Sequence, residues 1–162
     1  MNLYIKQKVF SFRDRFFVYD ESGAEKYYVE GEVFSFGKKL HIFDMKGNRL
    51  ADIAQQVFSF LPKFHVTVNG HSFEVKRLFT FFHPKYTVEP FGWTVYGNFF
   101  EHDYEISGGS DVIAKIAKEW FSFGDAYAIR ISSGIDELAV LSSVLVIDAC
   151  MEQNNNVSIS FS

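Results

Sequence analysis

The sequence predicts a mainly β protein, a twelve-stranded closed antiparallel β-barrel that encloses one apolar α-helix at the C-terminal end of the chain. Turn residues divide most of the 162 residues into short apolar stretches typical of strands. Aromatic residues make up 19% of the chain, including 20 phenylalanines, and such rings favour strands and require a large interior. Near the end, residues 138–151 form an apolar run of helical length.

Strands are predicted wherever an apolar stretch lies between turn signals. One stretch, residues 111–120, is ambiguous, because Ile113, Ile116 and Trp120 also fall at the spacing of a helix. The hairpin-like turn before it and the strand after it favour a strand there as well. The predicted strands lie near residues 3–9, 13–19, 26–33, 38–44, 49–54, 63–68, 71–78, 85–90, 93–99, 102–106, 111–119 and 126–131.

A repeated tetrapeptide, Val-Phe-Ser-Phe, stands at residues 9–12, 33–36 and 57–60, with a Trp-Phe-Ser-Phe variant at 120–123. Two strands plus two turns account for the spacing between copies, which favours a β-meander over a solenoid. In an extended chain both rings of each copy point to the same face. We therefore expect them to line the barrel and to pack on the helix; the rings are those of Phe10, Phe12, Phe34, Phe36, Phe58, Phe60 and Phe123.

The connections between strands carry turn chemistry. In the first two copies of the repeat an aromatic–Asp pair precedes a glycine by three residues, and Asp and Gly together favour a tight turn. The pair Asn69-Gly70 predicts a two-residue hairpin. Its register would place Val66 opposite Phe73, and His65 beside Glu74 on the other face. The two turns that follow the repeat are expected at Asp20–Gly23 and Asp44–Gly47.

The C-terminal segment predicts a helix over about 135–152 with a short polar tail at 153–162, after a barrel that covers about 3–131. Ser133 and Asp136 have the spacing of a capping box. The helix is apolar on every side, so it must be surrounded, and a barrel of more than eight strands leaves room for it. Ser142 and Ser143 can bond back to carbonyls one turn earlier. Asp148 either reaches the barrel mouth, the favoured interpretation, or is a buried, paired acid and a candidate site.

Composition excludes several classes of protein. A net charge of −4 argues against nucleic-acid binding. The single cysteine, Cys150, rules out an intramolecular disulfide and is compatible with a reducing cytoplasm. The N-terminal residues lack the apolar core of a signal peptide, and the longest apolar run, 14 residues, is short of the ~20 that a membrane span needs. We therefore expect a cytoplasmic protein that is not transmembrane.

Two stretches, "KEWFSFGDAYAIRISSGIDELAVLSSVLVIDAC" at 118–150 and "GWTVYGNFFEHDYEI" at 92–106, resemble the LURP-one-related family, and bacterial members in particular. The resemblance extends over essentially the whole chain and implies a single domain, 1–162. The family shares the fold of the tubby C-terminal domain and of phospholipid scramblases, in which a twelve-stranded barrel encloses a central helix. That implication agrees with the barrel expected from the residues.

The resemblance to the family gives little information about function, and the candidate site comes from the related tubby fold. The tubby domain binds phosphoinositide headgroups through clustered Lys and Arg, and basic residues along one hairpin together with two further basic residues are the candidates here. They would contact an anionic phospholipid and place the protein at the membrane surface; an unknown protein is the other expected partner. The candidate residues are Lys38, Lys39, Lys46, Arg49, Lys76 and Arg77.

Catalytic chemistry is not expected. The sequence has no Gly-rich phosphate loop, no HExxH zinc motif and no GxSxG elbow. His65 and His71 would lie on opposite faces of their hairpin and could not share a metal, so neither a metal site nor a cofactor is predicted. The sequence therefore favours a non-enzymatic binding or scaffold module. The alternative is an enzyme or a small-molecule carrier with a site at the barrel mouth.

Overall fold

The computed structural model describes residues 1–6, 15–32, 35–121 and 124–160. Its twelve strands follow the predicted ones closely, and the contested stretch is a strand. The elements are β1 (Asn2–Lys6), β2 (Phe16–Tyr19), β3 (Glu25–Gly31), β4 (Lys39–Asp44), β5 (Arg49–Gln55), β6 (Lys63–Val68), β7 (His71–Arg77), β8 (Lys85–Glu89), β9 (Trp93–Asn98), β10 (Asp103–Gly108), β11 (Asp111–Phe121), β12 (Gly124–Ile131) and α1 (Glu137–Ser160).

The strands form one closed antiparallel barrel. Each strand pairs with its neighbours in the sequence, and β12 closes the sheet on β1 from Asn2–Arg130 to Lys6–Ala126. The predicted fold class is therefore confirmed. Because strand directions alternate, every connection from an odd-numbered to an even-numbered strand lies at one end, which we call the loop end. Its described connections are 32, 35–38, 56–62, 78–84 and 99–102.

The opposite end, which we call the turn end, is built from short turns at 20–24, 45–48, 69–70, 90–92 and 109–110. The two turns predicted from the repeat are the same turn built twice. The Asp20 carboxylate accepts hydrogen bonds from the backbone of Ser22 and Ala24, and that of Asp44 accepts them from the backbone of Lys46 and Asn48, all at 2.9–3.1 Å. The glycines that close these turns have the positive φ that favours glycine, 82° and 89°.

The Asn69-Gly70 hairpin also has the predicted register. Both turn residues have positive φ, 49° and 82°, as a two-residue hairpin of this type requires. Val66 pairs with Phe73 and His65 with Glu74.

Strand β11 contains a bulge that explains its helix-like spacing. Ile106 pairs with Ala114 but the next residue, Ser107, pairs with Val112, so Ile113 is an extra residue in β11. Ile113 and Ala114 are both buried, which breaks the alternation of a regular strand. The apolar residues on either side of the bulge therefore come into the spacing of a helix without forming one.

Helix α1 runs through the barrel. Asp136, rather than the predicted Ser133, caps its start, since the Asp136 carboxylate accepts a hydrogen bond of 2.9 Å from the backbone of Leu138. Every residue over 138–151 is buried, as a helix apolar on all sides requires. The helix continues to Ser160, beyond the end predicted near residue 152, so part of the polar segment is helical.

Two buried serines lie on the helix inside the barrel. The Ser143 hydroxyl donates to the Ala139 carbonyl at 2.8 Å, as predicted. The Ser142 hydroxyl finds no partner within the described part of the chain, so the expectation for that residue is wrong.

No helix of the described ranges is both long and apolar enough to pass through a membrane.

Candidate functional site

The rings of the repeated tetrapeptide that the structure describes are exposed, which corrects the expectation that they line the barrel. Phe36, Phe58 and Phe60 are 74%, 92% and 95% exposed. They lie in connections between strands, where the alternation that would send both rings inward does not apply. Four other rings named in that expectation, those of Phe10, Phe12, Phe34 and Phe123, lie outside the described residues.

Aliphatic side chains fill much of the interior in their place. Inward-facing residues of the strands, such as Leu3, Val66 and Ile129, are fully buried and belong to one core with α1. Strands β4 and β5 separate Phe36 from Phe58 and Phe60, so these three rings lie at the same end of the barrel. The described rings of the repeat therefore mark the loop end and not the core.

The loop end carries a cluster of exposed rings, which we call the aromatic cluster. Its members come from four different connections and from the end of β11, and each is between 59% and 95% exposed. Two pairs of rings lie near each other, Phe36–Phe58 at 6.3 Å and Phe79–Phe81 at 5.5 Å. The described members are Phe36, Phe58, Phe60, Phe79, Phe81, Phe82, Phe100 and Trp120.

The turn end has no comparable surface among the described residues. Its large exposed apolar side chains in the turns are Met45 and Phe91, both 45% exposed. Phe91 also packs on buried neighbours, with ring centroids 5.1 Å from Phe73 and 4.7 Å from Trp93. The two ends of the barrel therefore differ in chemistry as well as in the length of their connections.

The six basic residues predicted as a binding site are divided between the two ends. Lys38 and Lys39 lie where β4 begins, at the loop end, and Lys46 and Arg49 lie at the turn end of the same hairpin. Lys38 forms an ion pair with Glu152 on α1, and Arg49 with Asp52. Lys76 and Arg77 end β7 and so join the first pair at the loop end.

Three lysines that sequence reasoning missed also lie at the loop end. Together with Lys38, Lys39, Lys76 and Arg77 they form what we call the basic rim. Lys63 and Lys85 are the first residues of β6 and β8, and Lys118 lies close to the end of β11. Lys63 and Lys118 contact Glu74 and Glu101 at 3.4 and 3.1 Å. The signal was present, because Lys39, Lys63 and Lys85 each begin a strand directly after an aromatic connection.

A groove with a volume of about 820 Å³ opens beside the aromatic cluster, between the connections 78–84 and 99–102. Gly97 shares the register of buried Trp93 and Val95 on β9 but is itself exposed. A Cβ at Gly97 would lie 2.6 Å from the backbone of Tyr104, and its φ of +138° also requires glycine. The groove is lined by His83, Pro84, Lys85, Tyr96, Gly97, Asn98, Phe99 and Phe100.

Asp148 is buried and paired, so the favoured interpretation of an acid that reaches the barrel mouth is wrong. Only 6% of Asp148 is exposed. The Tyr127 hydroxyl donates a hydrogen bond to one of its carboxylate oxygens at 2.5 Å, and the Nε2 atom of His102 lies 3.3 Å from the other. The imidazole of His102 stacks on the Tyr127 ring at 4.3 Å.

The groups around Asp148 hold their protons tightly. Burial, reinforced by the Asp148 carboxylate, raises the pKa of Tyr104 and Tyr127 well above the usual value. Burial also raises the pKa of the Cys150 thiol to about 12. A thiol with this pKa is a poor nucleophile at neutral pH, so Cys150 packs as a small apolar side chain.

Among the residues that the structure describes, three of the five histidines lie beside carboxylates: His102 beside Asp148, His65 beside Glu74, and His41 beside two acids. His65 lies 3.3 Å from Glu74, as predicted. Sequence reasoning missed His41, whose two ring nitrogens lie 2.6 Å from Asp52 and 2.7 Å from Glu32. The hydrogen bond from His41 lowers the pKa of Glu32. Across the described ranges, no group of three or more His, Cys, Asp or Glu side chains is arranged to hold a metal ion.

Comparison with known proteins agrees with this architecture. The family model described as LURP-one-related matches residues 1–148. The chain belongs to the LURP-one-related family. A bacterial relative, the uncharacterised protein YxjI of Bacillus subtilis (strain 168), is 32% identical over 160 residues, which cover 98% of this chain and 99% of YxjI.

The LURP-one-related fold is also found in a solved structure. The X-ray structure of a protein from Arabidopsis thaliana is similar to this one, with a TM-score of 0.62 and 17% sequence identity. The matched region covers 93% of this chain and 90% of the Arabidopsis chain. At that identity the likeness concerns the fold.

Proposed function

We propose that this LURP-one-related domain is a non-enzymatic binding module whose loop end docks on anionic membrane surfaces. The observation that carries the proposal is the aromatic cluster, eight rings exposed at one end of the barrel. Large exposed apolar patches mark sites that bind a partner or a membrane. The proposed location is the cytoplasmic face of a membrane, where the protein would be peripheral.

Aromatic rings on separate connections suit a membrane better than a shaped protein pocket. The rings project from four connections and from the end of β11 around the barrel rim, so they can enter the headgroup region together. Aromatic side chains favour that interfacial depth. A ring that is fully buried gains about 1.5–3 kcal/mol, and partial insertion gains less.

The basic rim supplies attraction to anionic headgroups. Lys39, Lys63 and Lys85 begin strands at the loop end, directly below the aromatic connections. A basic residue near an anionic membrane contributes about 1 kcal/mol, and salt weakens the attraction. Since the whole chain carries a net charge of −4, the attraction would be confined to this end and would orient the domain.

Co-sedimentation with vesicles tests the proposal. We expect the protein to bind vesicles that contain phosphatidylglycerol and phosphatidylcholine, to bind pure phosphatidylcholine more weakly, and to dissociate as salt rises. The variant with Phe58→Ser, Phe60→Ser and Phe82→Ser should lose at least about tenfold in affinity, because three exposed rings are removed.

The matched control carries Met45→Ser and Phe91→Ser at the turn end, with folding checked by thermal unfolding. It should bind vesicles like the unchanged protein. Equal losses in both variants, or binding that does not depend on anionic lipid, would contradict the proposal. A third outcome would favour a protein partner instead. In that case neither protein binds vesicles, and the unchanged protein captures a protein that the loop-end variant does not.

A further inference from the structure

The groove at the loop end has the two parts that an amphiphilic ligand needs. Phe99 and Phe100 and the ring of Pro84 provide apolar surface. Lys85 provides a cation at the same groove, where it pairs in register with Tyr96 on the neighbouring strand. Ligand pockets of a few hundred to about 1,000 Å³ with mostly apolar lining and few polar groups are typical of small-molecule sites.

The charge of Lys85 is available to a ligand. The side chain is exposed and forms no ion pair with any residue in the described ranges. Neighbouring acidic groups have other cations beside them, since Glu105 lies 3.8 Å from Lys115 and Glu101 pairs with Lys118. The groove therefore has a net cationic lip beside an apolar floor.

We propose that this groove binds a single acyl chain that carries an anionic headgroup. The headgroup would pair with Lys85, and the chain would lie over Phe99 and Phe100. The inference deepens the proposed function and rests on it, because a docked membrane would deliver such a chain to the groove. The anionic group is a carboxylate, as in a fatty acid, or a phosphate, as in a phospholipid.

Calorimetric titration without vesicles tests the groove apart from membrane docking. The probes are laurate, dodecyl phosphate, dodecanol and dodecyltrimethylammonium, each below its micelle concentration. We expect both anions to bind more tightly than dodecanol and the cation to bind most weakly. Tighter binding of laurate than of dodecyl phosphate would point to a fatty acid as the source, and the reverse order to a phospholipid.

Two substitutions separate the headgroup from the chain. Lys85→Gln should weaken laurate binding about tenfold and leave dodecanol binding unchanged, because it removes a charge-assisted contact. Phe100→Ala should weaken both ligands. The control Lys46→Gln, at the turn end, should change neither, and laurate should shift the backbone amide signals of Asn98 and Phe100 but not those of Asn69 and Gly70.

Several results would overturn the inference: no binding of laurate, equal binding of laurate and dodecanol, or equal effects of Lys85→Gln and Lys46→Gln. Failure of the groove and failure of membrane docking are distinguishable. Vesicle binding without laurate binding would contradict the proposed groove and support the proposed docking surface. Laurate binding without vesicle binding would contradict the docking surface and support the groove.

Discussion

Tyr127 on the barrel wall donates a hydrogen bond of 2.5 Å to Asp148 on the central helix. Both residues are buried, and His102, from the connection that also carries Phe100, completes the group. A buried carboxylate is tolerated only where partners satisfy it. The contact therefore ties the helix to the wall at one depth and links it to a connection of the loop end.

Loss of the Tyr127 hydroxyl should destabilise the fold. Tyr127→Phe keeps the ring but leaves the Asp148 carboxylate with one partner fewer, which costs about 1–3 kcal/mol. Urea unfolding measures this directly. Combining Tyr127→Phe with Asp148→Leu should recover part of the loss, because the unsatisfied acid is then absent; an additive penalty in the double variant would contradict this account of the pair.

Alkaline conditions should destabilise the protein. The Cys150 thiol has a pKa of about 12 in the fold against 9.0 normally, so between these values only the unfolded chain loses the proton. Stability therefore falls as pH rises above about 9, by about 1.4 kcal/mol per pH unit for one group. The raised pKa values of Tyr104 and Tyr127 add to the fall above about pH 10.

Urea unfolding at about pH 8, 9 and 10 checks this dependence. Cys150→Ala should show a shallower decline between the last two points. A native protein whose Cys150 reacts with a thiol reagent as fast as the unfolded chain would contradict the burial from which the prediction starts.

Gly97 should tolerate substitution worse than a glycine in an open turn. At Gly97 a Cβ would meet the backbone of Tyr104 and φ is +138°, whereas at Gly70 φ is +82° and nothing lies within 4 Å. Gly97→Ala should therefore cost about 3 kcal/mol or more, and Gly70→Ala about 1–2 kcal/mol. Thermal and urea unfolding measure the stability of the two variants. Equal losses of stability would contradict the prediction that the contact with Tyr104 makes Gly97→Ala the more destabilising change.

Much of the fold could be predicted from the sequence because local rules and global architecture agree. Alternation, the turns after Asp20 and Asp44, and the Asn69-Gly70 hairpin each specify their own strands. The bulge at Ile113 defeats a purely periodic interpretation, since one inserted residue changes the spacing of all apolar positions around it. The context of flanking turns was needed there.

The candidate site was harder to predict because direction along the barrel axis is a property of the whole topology. Lys38 and Arg49 belong to one hairpin but lie at opposite ends of the barrel. Phe58 and Phe60 have the spacing of an inward-facing strand, yet β5 ends at Gln55 and β6 begins at Lys63. Counting strands from the first residue would have placed all described copies of the tetrapeptide at the same end.

The emission of Trp120 tests the central claim most directly. Of the two tryptophans, Trp93 is 9% exposed within the core and Trp120 is 79% exposed in the aromatic cluster. In a Trp93→Phe variant, phosphatidylglycerol vesicles should shift the Trp120 emission to shorter wavelength, and brominated acyl chains should quench it. Vesicle binding that leaves this emission unchanged and unquenched would show that the loop end does not enter the membrane.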